Sequence, residues 1–140
     1  MNLAMVRQAT ILRLNEEEAL FLSGKANVNS AVNYLCSLGP LILVVTMGKE
    51  GCYARTKSES TFVKGFSVKA VDTTGCGDAF LAALLSGLVK TPSPFGEITI
   101  ERLYLMCRFA NAAAALSATK RGAMAAMPSG QQVVKFLSAR

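Results

Sequence analysis

The segment 71–80, VDTTGCGDAF, contains residues whose types and spacing could do chemistry. Two glycines flank one small residue directly before an apolar, helix-like stretch. Several backbone N–H groups can therefore turn toward one point, and the helix dipole adds positive potential there. This pattern predicts an anion site. Asp78 follows the second glycine, in the first turn of the predicted helix, where a carboxylate can equally serve as an ordinary cap or dipole partner. From these residues alone, both roles of Asp78 stay open.

Just upstream, Asp72, Thr73 and Thr74 add a second carboxylate and two hydroxyls to the predicted anion site. Oxygen ligands of this kind suit a hard cation. An anion site beside a carboxylate fits phosphoryl transfer, in which backbone N–H groups hold the transferred phosphate and the carboxylate accepts the proton of an attacking hydroxyl. The segment thus favours phosphoryl transfer, and the alternative is a capped strand-to-helix connection.

Three further segments could contribute to such a site. Asn15 and Glu18 lie three residues apart at a predicted helix start, where they could order water around Mg²⁺ and phosphates or simply cap the helix. The segment 46–51 contains Gly-Lys, but Glu50 stands where a P-loop requires Ser or Thr, so it is interpreted as a strand end and hairpin turn. The small residues at 109–116 permit close approach of another helix or of a flat ring.

Composition excludes several classes of protein. The chain has no histidine, and its four cysteines form no CxxC pair, which excludes a Cys/His zinc site and every His-dependent nucleophile. Its longest apolar runs fall far short of the roughly 18 residues of a membrane span, and no signal-peptide profile opens the chain, so a cytoplasmic location without a membrane partner is expected. The net charge of +6 is scattered, which suits a small polyanion such as a nucleotide and does not predict a nucleic-acid partner.

Hydrophobic patterning predicts a single domain, residues 1–140, of the α/β class. The middle strands are expected to be antiparallel to one another. The predicted elements are strands at 10–14 and 41–48, two strands in 51–68 joined by the turn KSES, helices at 16–24, 29–39, 78–89, 99–119 and 129–140, and a loop at 91–97.

Four segments, in this order, resemble the C-terminal half of the ribokinase-like (PfkB) carbohydrate kinases, and fructokinases are the members most similar in these segments. The segments are LNEEEALFLSG (14–24), VVTMGKEGCYA (44–54), VDTTGCGDAFLAALL (71–85) and FANAAAALSATKRGAMAAMPS (109–129). The resemblance covers residues 8–138. It implies a three-layer fold with a central, mostly parallel sheet flanked by helices, and ATP-dependent phosphorylation of a sugar hydroxyl.

The resemblance also implies roles for individual residues. Asp78 matches the catalytic base, and Gly75, Cys76 and Gly77 match the anion hole, with Cys76 where alanine is more usual. Asp72 and Thr74 match residues that line a K⁺ site, and Asn15 and Glu18 match a motif that tunes Mg²⁺ and phosphate binding. The positions implied to face the nucleotide are Thr46, Gly48, Gly51, Asn111, Ala114 and, in a closing loop, Gly122 and Ala123.

The family's N-terminal half, with its Gly-Gly substrate motif, its sugar-contacting aspartate and asparagine and its β-lid, has no counterpart in these 140 residues. The sequence therefore predicts the part of a sugar kinase that binds ATP and supplies the base, with little turnover by itself. The alternative is a non-catalytic nucleotide-binding or assembly module. The unpaired edge of the strand at 10–14 further predicts self-association or a homodimer.

Overall fold

A computed structural model describes residues 1–92 and 97–140 of the chain as one sheet with flanking helices, which confirms the predicted α/β class. Most of the loop predicted at 91–97 lies outside the described residues. The helices are α1 Leu3–Gln8, α2 Glu16–Ser23, α3 Val28–Ser37, α4 Cys76–Val89, α5 Ile100–Ala118 and α6 Gly130–Ser138. The strands are β1 Ile11–Asn15, β2 Ile42–Thr46, β3 Gly51–Arg55 and β4 Ser60–Lys64, and a 3₁₀ turn covers Gly48–Glu50.

The four strands lie in the order β1-β2-β3-β4. β1 pairs with β2 in parallel, whereas β2 with β3 and β3 with β4 are antiparallel, as predicted for the middle strands. The described sheet is therefore mixed, and the expectation of a mostly parallel sheet does not hold within it. The connections explain this difference, because only the β1–β2 connection, which contains α2 and α3, is long enough for a parallel crossover.

β2 separates two hydrophobic cores and is buried on both faces, as its apolar run predicts. Leu43 and Val45 pack with α1, α2 and α3, while Ile42 and Val44 pack with α4 and α5. The short helix α1 was not predicted from the sequence; Asn2 caps it, and its Val6 is fully buried in the first core.

The carboxyl ends of β1 and β2 meet at one edge of the sheet, because Asn15 pairs with Thr46 in the parallel register. Open α/β sheets bind ligands beyond the carboxyl ends of their strands. The fold thus brings together two of the segments that were predicted to contribute to a site. Among the described residues, no helix has the length and apolar character needed to cross a bilayer.

Candidate functional site

Helix α4 begins at Cys76, two residues earlier than predicted, and Gly75 occupies its N-cap position with φ +78° and ψ 1°. The left-handed backbone at Gly75 is the conformation that glycine adopts without strain. No side chain caps this helix, so Asp78, in its first turn, does not act as a cap. The other five described helices are capped by Asn2, Asn15, Asn27, Thr99 and Ser129.

The missing cap leaves backbone donors free at the start of α4. The amide of Cys76 donates to the carbonyl of Thr73 (3.2 Å) and the amide of Ala79 to that of Gly75 (2.9 Å). Gly77 and Asp78 lie between these two residues, and their amides have no acceptor within the helix, as the geometry of any helix start requires. Free N–H groups and the positive end of the helix dipole favour an anion here. We call residues 72–78 the glycine turn.

The Cys76 side chain is compatible with a bound anion. Burial raises the pKa of its thiol, an effect that the Ser117 hydroxyl partly offsets. The thiol is therefore neutral at physiological pH and does not repel a phosphate. Since the donors of the predicted anion site are backbone groups, a cysteine between the two glycines is compatible with that site.

Asp72 ties the glycine turn to the segment after α5. Its Oδ1 accepts a hydrogen bond from the amide of Thr74 (2.9 Å), and its Oδ2 accepts one from the amide of Gly122 (3.1 Å). The hydrogen bonds from Thr74, reinforced by the one from Gly122, lower the pKa of this carboxyl group. Asp72 thus carries its negative charge throughout the physiological pH range. These hydrogen bonds bring together Asp72 and Thr74, which the resemblance assigns to a cation site, and Gly122, which it assigns to nucleotide binding.

Thr46, Gly48 and Gly51 form the end of β2 and the turn that follows it. The hydroxyl of Thr46 makes two hydrogen bonds: it accepts one from Nη2 of Arg13 (2.8 Å) and donates one to the carbonyl of Leu14 (3.3 Å). Gly51 has φ +118°, and a Cβ there would lie within 2.0 Å of the Val63 carbonyl oxygen. This glycine therefore permits the close approach of β3 to β4.

Asn15 and Glu18 form a complete capping box at the start of α2. The Glu18 amide donates to Oδ1 of Asn15 (2.8 Å), and the Asn15 amide donates to Oε2 of Glu18 (2.8 Å). The capping role left open by the sequence is present, and it holds both exposed side chains at the carboxyl end of β1. Among residues 1–92 and 97–140, no three His, Cys, Asp or Glu side chains are grouped to hold a metal ion.

Asn111 is 6% exposed, and its Nδ2 donates to the carbonyls of Val63 (3.1 Å) and Lys64 (3.4 Å). This amide therefore fastens α5 to β4, a structural role that the sequence did not show. Ala114 lies one turn further along α5, where its small side chain leaves open space beside the sheet.

A cavity of about 370 Å³ lies between the strand ends, the glycine turn and α5, and we call it the strand-end cavity. The predicted site residues that line it are Asn15, Thr46, Gly48, Gly51, Cys76, Gly77, Asn111 and Ala114. The predicted site residues that do not line it are Glu18, Asp72, Thr74, Gly75, Asp78, Gly122 and Ala123. Asp78 is exposed, directly after two lining residues. A larger hollow of about 630 Å³, at the opposite end of β1 and β2, contains none of the predicted residues.

Arg13 also lines the strand-end cavity, although it was not among the site residues predicted from the sequence. The only sequence signal was the alternation of Arg13 with Leu12 and Leu14, which equally fits an arginine on a solvent-exposed face. An arginine on the inner face of a strand indicates either a paired charge or a ligand.

Comparisons with known proteins identify the family and the fold of this chain. Residues 2–130 match the family described as pfkB family carbohydrate kinase. A curated relative, probable fructokinase-2 of Arabidopsis thaliana, is 38% identical over 131 residues, covering 93% of this chain and 39% of the relative.

Solved structures show the same fold. Fructokinase from Vibrio cholerae O395, bound to fructose, ADP and calcium ion, matches with a TM-score of 0.86 and 30% identity, covering 96% of this chain and 42% of that one. A putative ribokinase II from E. coli in complex with ATP and Mg²⁺ matches with a TM-score of 0.82 and 25% identity, covering 99% and 42%. The chain thus spans about two fifths of the length of these proteins.

Proposed function

Because this chain belongs to the pfkB family of carbohydrate kinases, we propose that it supplies the ATP site, the anion hole and the catalytic base for phosphorylation of a sugar hydroxyl, as in a fructokinase. The observation that carries the proposal is the uncapped N-terminus of α4, which adjoins the strand-end cavity and bears Asp78 in its first turn. In this arrangement, backbone donors that could hold an anion adjoin a carboxylate that could accept a proton.

In the proposed mechanism, the backbone of Gly75, Cys76 and Gly77 forms the anion hole, and the free amides at the start of α4 donate to the phosphate that is transferred. Asp78 accepts the proton of the attacking sugar hydroxyl. Since phosphoryl transfer depends mainly on positioning and electrostatic stabilisation, backbone donors aimed at the phosphate supply much of what the reaction needs. Asp78 is exposed, and the sugar would therefore approach α4 from the solvent side of the glycine turn.

The nucleotide is proposed to occupy the strand-end cavity. Gly48 and Gly51 would lie beside its phosphates and ribose, Asn111 and Ala114 beside adenine, and Gly122 in the segment that closes over it. Asn15 and Glu18 are proposed to order the water around Mg²⁺, which would neutralise phosphate charge when bound. Asp72 and Thr74 are proposed to line a K⁺ site, since each Asp72 oxygen retains a lone pair beyond its amide hydrogen bond.

The length of the chain relative to its relatives refines this proposal. It spans about two fifths of them, so we propose that residues 1–140 form a single nucleotide-binding domain to which a sugar-contacting part must be added. The alternative is a non-catalytic nucleotide-binding or assembly module. Both the kinase portion and the alternative module would include an ATP site, and we propose a cytoplasmic location for either.

Calorimetric titration of the 140-residue chain with ATP and Mg²⁺ tests the shared claim. We expect weak binding, with a Kd on the order of 0.1–1 mM, that strengthens when K⁺ replaces choline at equal ionic strength. Asp72→Asn should abolish the K⁺ effect, because it removes the charge and places an amide NH₂ against the amide of Gly122. Absence of ATP binding would contradict the proposal, and robust fructose phosphorylation by this chain alone would contradict the need for a further part.

We also propose that copies of the chain self-associate. β1 is an edge of the described sheet, so its outer backbone groups have no partner strand, and Phe21 on α2 is 87% exposed. Light scattering should show an apparent mass that rises with concentration. The variant Phe21→Ser distinguishes association through the β1 edge from association through Phe21, because only the first should persist in it. A monomer at every concentration would contradict this proposal.

A further inference from the structure

Arg13 is a cation on the face of β1 that packs toward α4. Leu12 and Leu14 are buried in the core that contains α2 and α3, so the alternation of a strand places Ile11 and Arg13 on the opposite face. Ile11 packs there against an apolar cluster of the sheet, α4 and α5. A charged side chain on such a face costs free energy unless an interaction compensates it.

The guanidinium of Arg13 lies directly against Gly77. A Cβ built on Gly77 would lie 2.6 Å from Nη2, 2.9 Å from Nη1 and 3.0 Å from Cζ of Arg13. The absence of a side chain at Gly77 is therefore what allows the cation to approach the first turn of α4. As a result, the guanidinium and Gly77, which carries one of the two free amides, border the strand-end cavity together.

The hydrogen bonding of Arg13 is incomplete. Its Nη2 donates to the hydroxyl of Thr46 (2.8 Å), and this hydroxyl is held in turn by the carbonyl of Leu14 (3.3 Å). Its Nε is buried and has no hydrogen-bond partner within residues 1–92 and 97–140. A hydroxyl is a neutral acceptor and leaves the positive charge uncompensated. A guanidinium has five N–H donors, so an anion could still take several of them.

We propose that Arg13 donates hydrogen bonds to the transferred phosphate of ATP at the glycine turn, and that Thr46 is a positioning residue that fixes the guanidinium over Gly77. The inference rests on the proposed function and adds a side-chain cation to a site otherwise built from backbone donors. A planar guanidinium can bind two phosphate oxygens at once, and its charge opposes the charge that spreads over those oxygens during transfer. Thr46 would thus affect the nucleotide through Arg13.

Titration of the chain and of Arg13→Gln with Mg·ATP, tripolyphosphate and adenosine tests the role of Arg13. We expect Arg13→Gln to weaken ATP and tripolyphosphate binding by roughly 10- to 100-fold, the usual effect of losing hydrogen bonds to a charged group, and to leave adenosine affinity unchanged. Arg55→Gln is the matched control, since Arg55 lies on β3 opposite Leu43, remote from the Thr46 end of β2. Equal ATP affinity in the chain and in Arg13→Gln would overturn the proposal.

Thr46 has its own test. Thr46→Val keeps a β-branched side chain but removes the hydroxyl, and it should weaken ATP binding several-fold, whereas Thr46→Ser should restore it. In the Arg13→Gln background, Thr46→Val should have no further effect on ATP affinity, because the group it positions is gone. Independent, multiplicative effects of the two substitutions would overturn the positioning role.

The wild-type chain supplies a readout that does not depend on the folding of any variant. In ¹⁵N-edited NMR, the Nε–H signal of Arg13 should shift on addition of ATP or tripolyphosphate and should not shift with adenosine. ATP binding without this shift overturns the role of Arg13 and leaves the proposed function intact. Arg13-dependent tripolyphosphate binding without any adenosine affinity supports Arg13 and contradicts the nucleotide site. Failure of the chain to bind either phosphate compound overturns both.

Discussion

Asp78→Asn is expected to lower the rate of sugar phosphorylation by about 10²–10⁴-fold, the range that a positioned general base contributes. The measurement needs an enzyme in which residues 1–140 are combined with the sugar-contacting part of a fructokinase relative. Asparagine has nearly the same shape as aspartate but cannot accept the proton of the attacking hydroxyl. Since the side chain of Asp78 is exposed and does not line the strand-end cavity, the Kd for Mg·ATP should stay close to that of the unsubstituted protein.

Glu16→Gln is the matched control for Asp78→Asn. Glu16 is also an exposed carboxylate in the first turn of a helix, so both substitutions remove the same favourable interaction with a helix dipole, about 0.3–1 kcal/mol. Only Asp78→Asn should lower kcat. If kcat remained near the wild-type value, Asp78 would not be the base. A parallel loss of ATP affinity would instead assign Asp78 to nucleotide binding.

The elements of the fold that follow from local sequence were predictable. Asn15, Glu18 and Gly24 mark the start and end of α2 because caps act within one helical turn, and the structure contains both the capping box and a left-handed Gly24. The apolar run 41–48 predicted a strand covered on both faces, and β2, Ile42–Thr46, is buried on both. α1 escaped prediction because six residues carry too little periodicity, and its stability depends on Val6 entering a distant core.

The site was predictable only in part, for the same reason. The glycine turn requires glycine at its left-handed position, so the local residue pattern is enough to indicate an anion site. The hydrogen bond from Arg13 to Thr46 joins residues 33 apart in sequence, and the bond from Asn111 to the Val63 carbonyl joins residues 48 apart. Such pairs depend on strand register and helix docking. No local pattern therefore showed that Thr46 holds an arginine or that Asn111 fastens a helix.

Gly75→Ala should have the second large effect, because Gly75 meets two constraints at once. Its φ of +78° disfavours any residue with a Cβ, and a Cβ there would lie 2.7 Å from Cβ and 3.0 Å from Cα of Ala123. The left-handed backbone should lower the free energy of unfolding by about 1–2 kcal/mol, and the steric overlap by about 1–3 kcal/mol more. The overlap can be relieved by a shift of the turn or of the Ala123 segment. Either shift displaces the amides of the proposed anion hole, so ATP affinity should fall at least about tenfold.

Gly24→Ala separates strain from steric overlap. Gly24 has φ +64°, but a Cβ there would have no atom within 4 Å. In urea unfolding, Gly24→Ala should therefore lose only the free energy that the left-handed backbone costs, and its ATP affinity should not change. Adding Ala123→Gly to Gly75→Ala removes the 2.7 Å contact and leaves the 3.0 Å contact with the backbone, so ATP affinity should recover in part. Gly75→Ala with normal ATP binding would show that the left-handed turn is not needed to hold a phosphate. A full recovery in the double variant would assign the loss to crowding by the Ala123 side chain.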